Sequence, residues 1–330
     1  MQERNKKIVL IILLIGTFFL MNLAKAAGKV PIIIDTDAST DDAIALLYLL
    51  NSDKIDIKAI IVDRNAASFA NTAGSHIAYV LNLAKKPLIP VYLGTTKNDN
   101  DYPVSIKKLV DDSYPENTLQ PKLLISQKQL ANIILSQQEP VKILCLGSLS
   151  NIADLFKVYP EVKNKISLLT IMGGAIDVPG NIAILDSASH NLYAEWNVFI
   201  DPSAFQAVLS SNIPIILVSL DITNKTPVTL DFLESLHRQT NNPEAEFVYK
   251  LLFENIQWIK NNEYDFWDPL AAFILVNPEQ AITTPKRIKT VTIPGNHVGQ
   301  TIKSSTGYPV NVVTTVSTDD LKTALLKSFL

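Results

Sequence analysis

The chain has 330 residues, 47% of them apolar and 18% charged, a balance that suits a soluble globular enzyme with a sizeable core. Its formal net charge of −3 becomes −6 when residues 1–26, with four basic residues and one acidic residue, are set aside, and nothing in that balance points to nucleic acid as a partner. A single cysteine, Cys145, excludes an internal disulfide, and there is no Cys/His cluster, GxxxxGK[ST] loop or GxSxG elbow to support zinc, P-loop or serine-hydrolase chemistry.

In chain order, Arg4, Lys6 and Lys7 precede an apolar run over residues 8–23, and Ala24-Lys25-Ala26 follows as a small-residue cleavage site. Residues 1–26 therefore read as a secretory signal peptide, implying a periplasmic or secreted protein with no stable membrane association after cleavage. An uncleaved anchor is the competing reading, although the run falls just short of a full span. Residues 27–330 read as one domain, since no repeat or linker divides them.

Residues 31–50, PIIIDTDASTDDAIALLYLL, organise the rest. A β-branched run ends in Asp35, Asp37, Asp41 and Asp42, and an apolar helix follows. Helix capping by Ser39 or Thr40 accounts for one or two acids in a first turn, not for four. Carboxylates so close repel one another, and a hard cation with many oxygen ligands, such as Ca²⁺, answers that repulsion.

Further strands are expected at 57–62, 89–93, 141–146, 166–172 and 213–220, alternating with helices at 68–83, 127–137 and 202–209. Residues 95–102 read as a polar surface loop or lid, and 175–194 as a long loop. Residues 228–262 are helical by periodicity and expected to cap the sheet; a helix over 270–275, strands within 288–316 and a last helix capped at 317–320 close the chain. The fold class is α/β: a single domain with a mostly parallel, doubly wound sheet flanked by helices, a helical cap and C-terminal strands. Polar sets end strand after strand, at 35–42, Asn65, Ser150-Asn151 and 221–224, and converge on one edge where a polyhydroxyl substrate such as a sugar would fit.

These residues resemble the Ca²⁺-dependent nucleoside hydrolases of the inosine-uridine type. That family's fingerprint, DTDxGxDDA, stands here as Asp35-Thr36-Asp37-Ala38-Ser39-Thr40-Asp41-Asp42-Ala43. Further matches are Leu146-Gly147-Ser148-Leu149-Ser150-Asn151, Met172-Gly173-Gly174, Glu195-Trp196-Asn197 with Asp201-Pro202, and Trp267-Asp268-Pro269-Leu270-Ala271. The resemblance implies hydrolysis of the N-glycosidic bond of ribonucleosides, with Asp37, Asp42, the Ser150 backbone carbonyl and Asp268 as Ca²⁺ ligands. It implies Asp37 as general base for an activated water, Asp41, Asn65, Glu195, Asn197 and Asp268 on the ribose hydroxyls, and Met172 and Asn181 lining the sugar pocket. Asp35 would support the ligands from behind, and a homodimer or homotetramer is implied.

Three departures set this chain apart from the pattern. Ser39 replaces the fingerprint glycine and Arg64 the glycine before Asn65, which puts the geometry of both turns in question. Trp267 precedes the metal aspartate where several members carry a histidine that protonates the leaving base, so it is expected to act as a stacking platform, with a purine nucleoside as substrate. Tyr102 is a candidate for the opposite face and His190 for a substitute acid. Rival readings are a haloacid-dehalogenase-type phosphatase using Asp35 and Asp37, with Asp319-Asp320 on Mg²⁺, and an exported, non-catalytic sugar- or nucleoside-binding protein.

Overall fold

The computed structural model describes residues 28–64, 67–116, 118–186, 189–239 and 241–329, so the signal-peptide expectation for 1–26 and the expected ribose contact Asn65 lie outside the described residues. The strands are Val30–Thr36 (β1), Ile55–Val62 (β2), Val91–Leu93 (β3), Val141–Cys145 (β4), Ile166–Met172 (β5), Ile215–Val218 (β6), Ala281–Thr290 (β7), Thr301–Lys303 (β8) and Tyr308–Val316 (β9). They form one sheet in the order β3-β2-β1-β4-β5-β6-β9-β7-β8. From β3 to β9 neighbouring strands run parallel, while β7 is antiparallel to both β9 and β8. This is the α/β sheet expected, with its helical cap and C-terminal strands.

The central strands are apolar throughout because helices cover both faces: Ile32, Ile33 and Ile34 are fully buried, Ile32 and Ile34 toward one core and Ile33 toward the other. From the β1–β4 pair the chain winds outward in both directions, so their carboxyl ends part at the switch point where open α/β sheets leave a crevice. Asp35 pairs with Cys145 across that junction, and the Leu146 N–H donates to the Asp35 carbonyl at 2.8 Å. Gly147 follows because a Cβ there would stand 3.3 Å from Asp37.

The cap comprises the helices Leu230–His237, Pro243–Glu254 and Ile256–Lys260. Asn242 caps the second, accepting the Glu244 N–H at 2.8 Å, with Pro243 at its first turn. Several elements differ from the sequence reading, among them the short helices Ile182–Leu185, inside the expected 175–194 loop, and Trp196–Ile200. The helix Val104–Ser113 was not anticipated: Val104 and Leu109 on it are largely exposed, so its apolar residues make no clean stripe. Strand β7 begins at Ala281, not 288, and carries Pro285 with buried residues only near its end, which masks it as a strand. The strand read at 213–220 shortens to Ile215–Val218, since Ser219 caps a helical turn, Leu220–Thr223; Asp221 there accepts the N–H groups of Ile176 (2.9 Å) and Asp177 (2.8 Å) and takes no place in the site.

Gly94, just past β3, tests how tightly the sheet edge is fitted. A Cβ at this position would run into the buried Asn151 side chain, beside Ser150. Gly94→Ala is expected to lower unfolding free energy by about 1–3 kcal/mol through overpacking, measured by urea denaturation; an unchanged midpoint would contradict this packing.

Candidate active site

The turn after β1 is held by its own polar groups. The Thr36 hydroxyl donates to Asp42, and the Ala38 N–H donates to Thr36 Oγ1 at 3.1 Å. Ala38, fully buried, adopts the left-handed conformation at φ 60°, and its carbonyl accepts the Ser68 hydroxyl at 2.8 Å. Ser39 is the N-cap of the helix Thr40–Leu50 at φ −76°; its N–H donates to Asp42 Oδ2 at 3.1 Å and its hydroxyl to Asp41. The geometry left in question at Ser39 is ordinary extended backbone that needs no glycine, and the strained residue of the turn is Ala38.

Asp268 enters from the first turn of the helix Trp267–Val276. Asp41, Asp42 and Asp268 each offer a carboxylate oxygen within 4.8 Å of the others. Asp37 and Asp268 both come within hydrogen-bonding reach of Asp42, and Asp35 lies behind them, buried beside Asn151 and Asp63. Burial first, then the neighbouring carboxylates, push the carboxyls of Asp35, Asp37 and Asp268 well above the usual range. Asp41 is pushed up to about 6 by burial and by Asp42. Among the described residues no lysine or arginine lines the pocket to answer this charge, so the donor set, all hard oxygens, suits a hard divalent cation.

Around the acids the pocket is lined by Met172, Asn181, Glu195, Asn197, Tyr102, Tyr264, Trp258 and Trp267, among others. Glu195 caps the short helix Trp196–Ile200 and accepts the N–H groups of Asn197 (2.8 Å), Gly174 (3.0 Å) and Val198 (3.2 Å). Burial still raises its carboxyl to about 7. The Asn197 amide donates to the Leu146 carbonyl at 2.9 Å, tying this helix to the end of β4. Asn181 accepts the Trp196 N–H at 3.0 Å. Asp37, Asp41, Asp42, Asp268, Glu195 and Asn197, expected from the sequence, thus meet in one place; Asn65 lies outside the described residues.

Other expectations fall elsewhere. The Ser150 side chain is buried outside the pocket lining, its Oγ lying 2.6 Å from Asp201 and 2.7 Å from Asn98; the expectation concerns its backbone carbonyl, which these side-chain contacts leave untouched. Tyr102 does line it, yet its ring stacks on Trp196 at 4.5 Å; Trp267 lies instead against Tyr264, at 5.0 Å. His190 opens onto a separate cavity with Asp99 and Asn100, which removes it as the substitute acid. His76 is a satisfied core histidine, stacked on Tyr114 at 3.8 Å and bonded to Ser68. Asp319 and Asp320 are exposed in the first turn of the last helix, away from the pocket, so the phosphatase reading loses its metal site. Asn255 and Trp258 of the cap and Ile106 of the unanticipated helix also line the pocket. Sequence reasoning missed them because cap packing alone brings them there.

Residues 32–323 match the family model described as inosine-uridine preferring nucleoside hydrolase. The chain belongs to that family. A curated relative, the pyrimidine-specific ribonucleoside hydrolase RihA of Klebsiella pneumoniae (strain 342), is 31% identical over 262 residues, covering 76% of this chain and 80% of its own. Among solved structures, the inosine-uridine preferring nucleoside hydrolase of Bacillus anthracis superposes with a TM-score of 0.80 at 23% identity, over 91% of this chain and 98% of that one. The purine-preferring ribonucleoside hydrolase of Gardnerella vaginalis gives 0.78 at 19% identity, over the same shares. These two likenesses speak to the fold. As a nucleoside hydrolase the protein is a glycosidase acting on N-glycosyl bonds of ribonucleosides, which excludes the phosphatase and the non-catalytic binder. The family is metal-dependent, and the acid cluster is where this chain's donors fit a metal.

Without a cation the raised carboxyls hold protons that the unfolded chain releases, so stability falls as pH rises from the ordinary carboxylate range through about 6 and 7, the values of Asp41 and Glu195. Thermal melts in chelator are expected to show a lower Tm at pH 8 than at pH 5, with added Ca²⁺ raising Tm most at pH 8, where protons no longer compete. Asp268→Asn, which removes one repelling charge, should raise the Tm of the cation-free protein by a few degrees, about 1 kcal/mol, while weakening the Ca²⁺ response. A cation-free Tm that rises with pH would refute this electrostatic account.

Proposed function

We propose that this nucleoside hydrolase prefers purine ribonucleosides, uses Ca²⁺, and employs Asp37 as general base. The observation that carries the reading is a single pocket lined by Asp37, Asp41, Asp42 and Asp268 together with Glu195, Asn197, Trp258 and Trp267, with no histidine in its lining among the described residues. Asp37, Asp42, Asp268 and the Ser150 carbonyl would hold the ion. When bound, Ca²⁺ supplies a water of lowered pKa beside these carboxylates. Asp37 would take a proton from the attacking water as its oxygen bonds to the anomeric carbon, while the C–N bond breaks with its electron pair passing to the base, which takes up a proton from solvent.

Asp41, Asn65, Glu195, Asn197 and Asp268 would hold the ribose hydroxyls, with Met172 and Asn181 beside the sugar. Positive charge developing on the ring is met by the surrounding carboxylates, and hydroxyl contacts that tighten as the ring flattens give the transition state its differential binding. Departure of the base is the harder half. Tyr102 and Tyr264 are poor acids, since burial and the nearby carboxylates raise both phenols above their ordinary value. Stacking on Trp267, with Trp258 on the cap, supports a leaving base that carries its own basic ring nitrogens, which favours purines. The pyrimidine-specific name of the K. pneumoniae relative supports the opposite preference. Export through residues 1–26 and assembly as a homodimer or homotetramer complete the proposal.

Release of ribose from inosine, guanosine, adenosine, uridine and cytidine decides the matter. Purine nucleosides are expected to give the higher kcat/KM, chelator to abolish turnover, and Asp37→Ala to lower kcat by about 10²–10⁴-fold with the fold intact. Trp267→Ala should cut kcat/KM for purines by roughly tenfold, the scale of a lost aromatic stack. Uridine outperforming every purine, or full activity in chelator, would overturn the corresponding part of the proposal.

A further inference from the structure

Residues 95–102, which join β3 to the helix Val104–Ser113, have the composition of a surface loop or lid, but they are not attached like one. Thr95, Lys97, Asp99 and Asp101 are exposed, whereas Asn98 and Tyr102 are 6% and 8% exposed. The Asn98 amide donates to Asp63 Oδ2 at 3.4 Å, and its Oδ1 accepts the Ser150 hydroxyl at 2.7 Å. Ser150 Oγ also lies 2.6 Å from Asp201 and 2.9 Å from Ser148 Oγ, and the Ser148 hydroxyl closes the ring by donating to Asp63. One buried polar net therefore joins the loop to the ends of β2 and β4 and to the cap of the helix Pro202–Leu209.

Two residues on, the loop is tied a second time. The Asn100 N–H donates to the Ile200 carbonyl at 2.8 Å and its side-chain amide to the Phe199 carbonyl at 2.7 Å. Asp101 pairs with the buried Lys107 at 2.5 Å. Tyr102, held between these ties, stacks on Trp196 at 4.5 Å with the rings 17° apart, and both rings line the nucleoside pocket. A loop that swung open would have to break these bonds together while several of the groups stayed buried.

We propose that Asn98 is a positioning residue: it fastens the 95–102 segment to the floor of the sheet, so that Tyr102 stands as a fixed wall of the nucleoside pocket and does not close over it as a lid. The inference rests on the pocket being the nucleoside site and is independent of which base is preferred. Asn98 acts on substrate only through Tyr102, and that indirectness is what a double-mutant cycle detects.

The test measures kcat and KM of the Ca²⁺-loaded full chain for its best nucleoside in the wild type, Asn98→Ala, Tyr102→Ala and the double variant. Each single variant is expected to raise KM by roughly tenfold with a smaller change in kcat, the penalty of a misplaced wall, and the double variant to be no worse than the worse single. Multiplying effects, or an unchanged KM in Asn98→Ala, overturn the proposal. If Asn98→Ala does not fold, Asn100→Ala removes a tie from the same segment at a half-buried position and takes its place in the cycle. Amide hydrogen exchange of residues 95–102 gives a readout that needs no turnover. Slow exchange in the wild type, unchanged by added ribose and accelerated in the variant, supports a fixed wall; protection that appears only with ribose overturns it. An inactive wild type would count against the hydrolase reading, while the exchange arm would still decide whether the segment is a wall.

Discussion

Mutual repulsion among buried carboxylates at the parting of β1 and β4 is the constraint around which this molecule is built. Asp37, Asp41, Asp42 and Asp268 meet in a cavity lined, among the described residues, by no lysine or arginine, and burial and proximity raise the proton affinity of Asp37, Asp41 and Asp268. A fold that tolerates such a cluster must hold it rigidly, since any loosening would let the charges separate into water. The rigidity comes from outside the cluster. The left-handed Ala38 is pinned by Thr36 and Ser68, the helix cap at Ser39 turns the acids inward, and Gly147 lets the neighbouring strand end approach Asp37 closely.

The rest of the pocket follows from the same economy of partners. Glu195 is buried and negatively charged when ionised, yet it accepts three backbone N–H groups at the start of a helix, the arrangement in which a carboxylate is least costly to bury. Asn197 and Asn181 use part of their hydrogen-bonding capacity on Leu146, Met172 and Trp196, which fixes how both side chains stand in the pocket. The aromatic end is built differently, from the cap helices and the segment after β3. The base preference printed for the named relatives differs between them.

A sequence-level signal was available for some of these features and absent for others. Asp35 to Asp42 form one contiguous turn between a strand and a helix, so local periodicity suffices to place them, whereas the short helix that Glu195 caps was not legible in the sequence. Asn98 and Tyr102 sit in a stretch so polar that composition argues for exposure, although both are buried. Asp221 looked like another strand-end site residue, but the chain turns at Ser219 and directs that carboxylate to the backbone of residues 176 and 177. In each of these cases the partner lies far along the chain.

By itself the sequence determined the alternation of strands and helices, the apolar strands that must lie in a covered sheet, and the acidic turn with its need for a cation, because these rest on period, capping and charge within a few neighbouring residues. The tertiary structure alone decided that Asp268, from the far end of the chain, completes the cluster, that His190 faces a different cavity, and that Trp258 reaches the pocket from the cap. It also decided that residues 95–102 are fastened down. Contacts between residues distant in sequence depend on which helices cover which face of the sheet, and no local pattern encodes that choice.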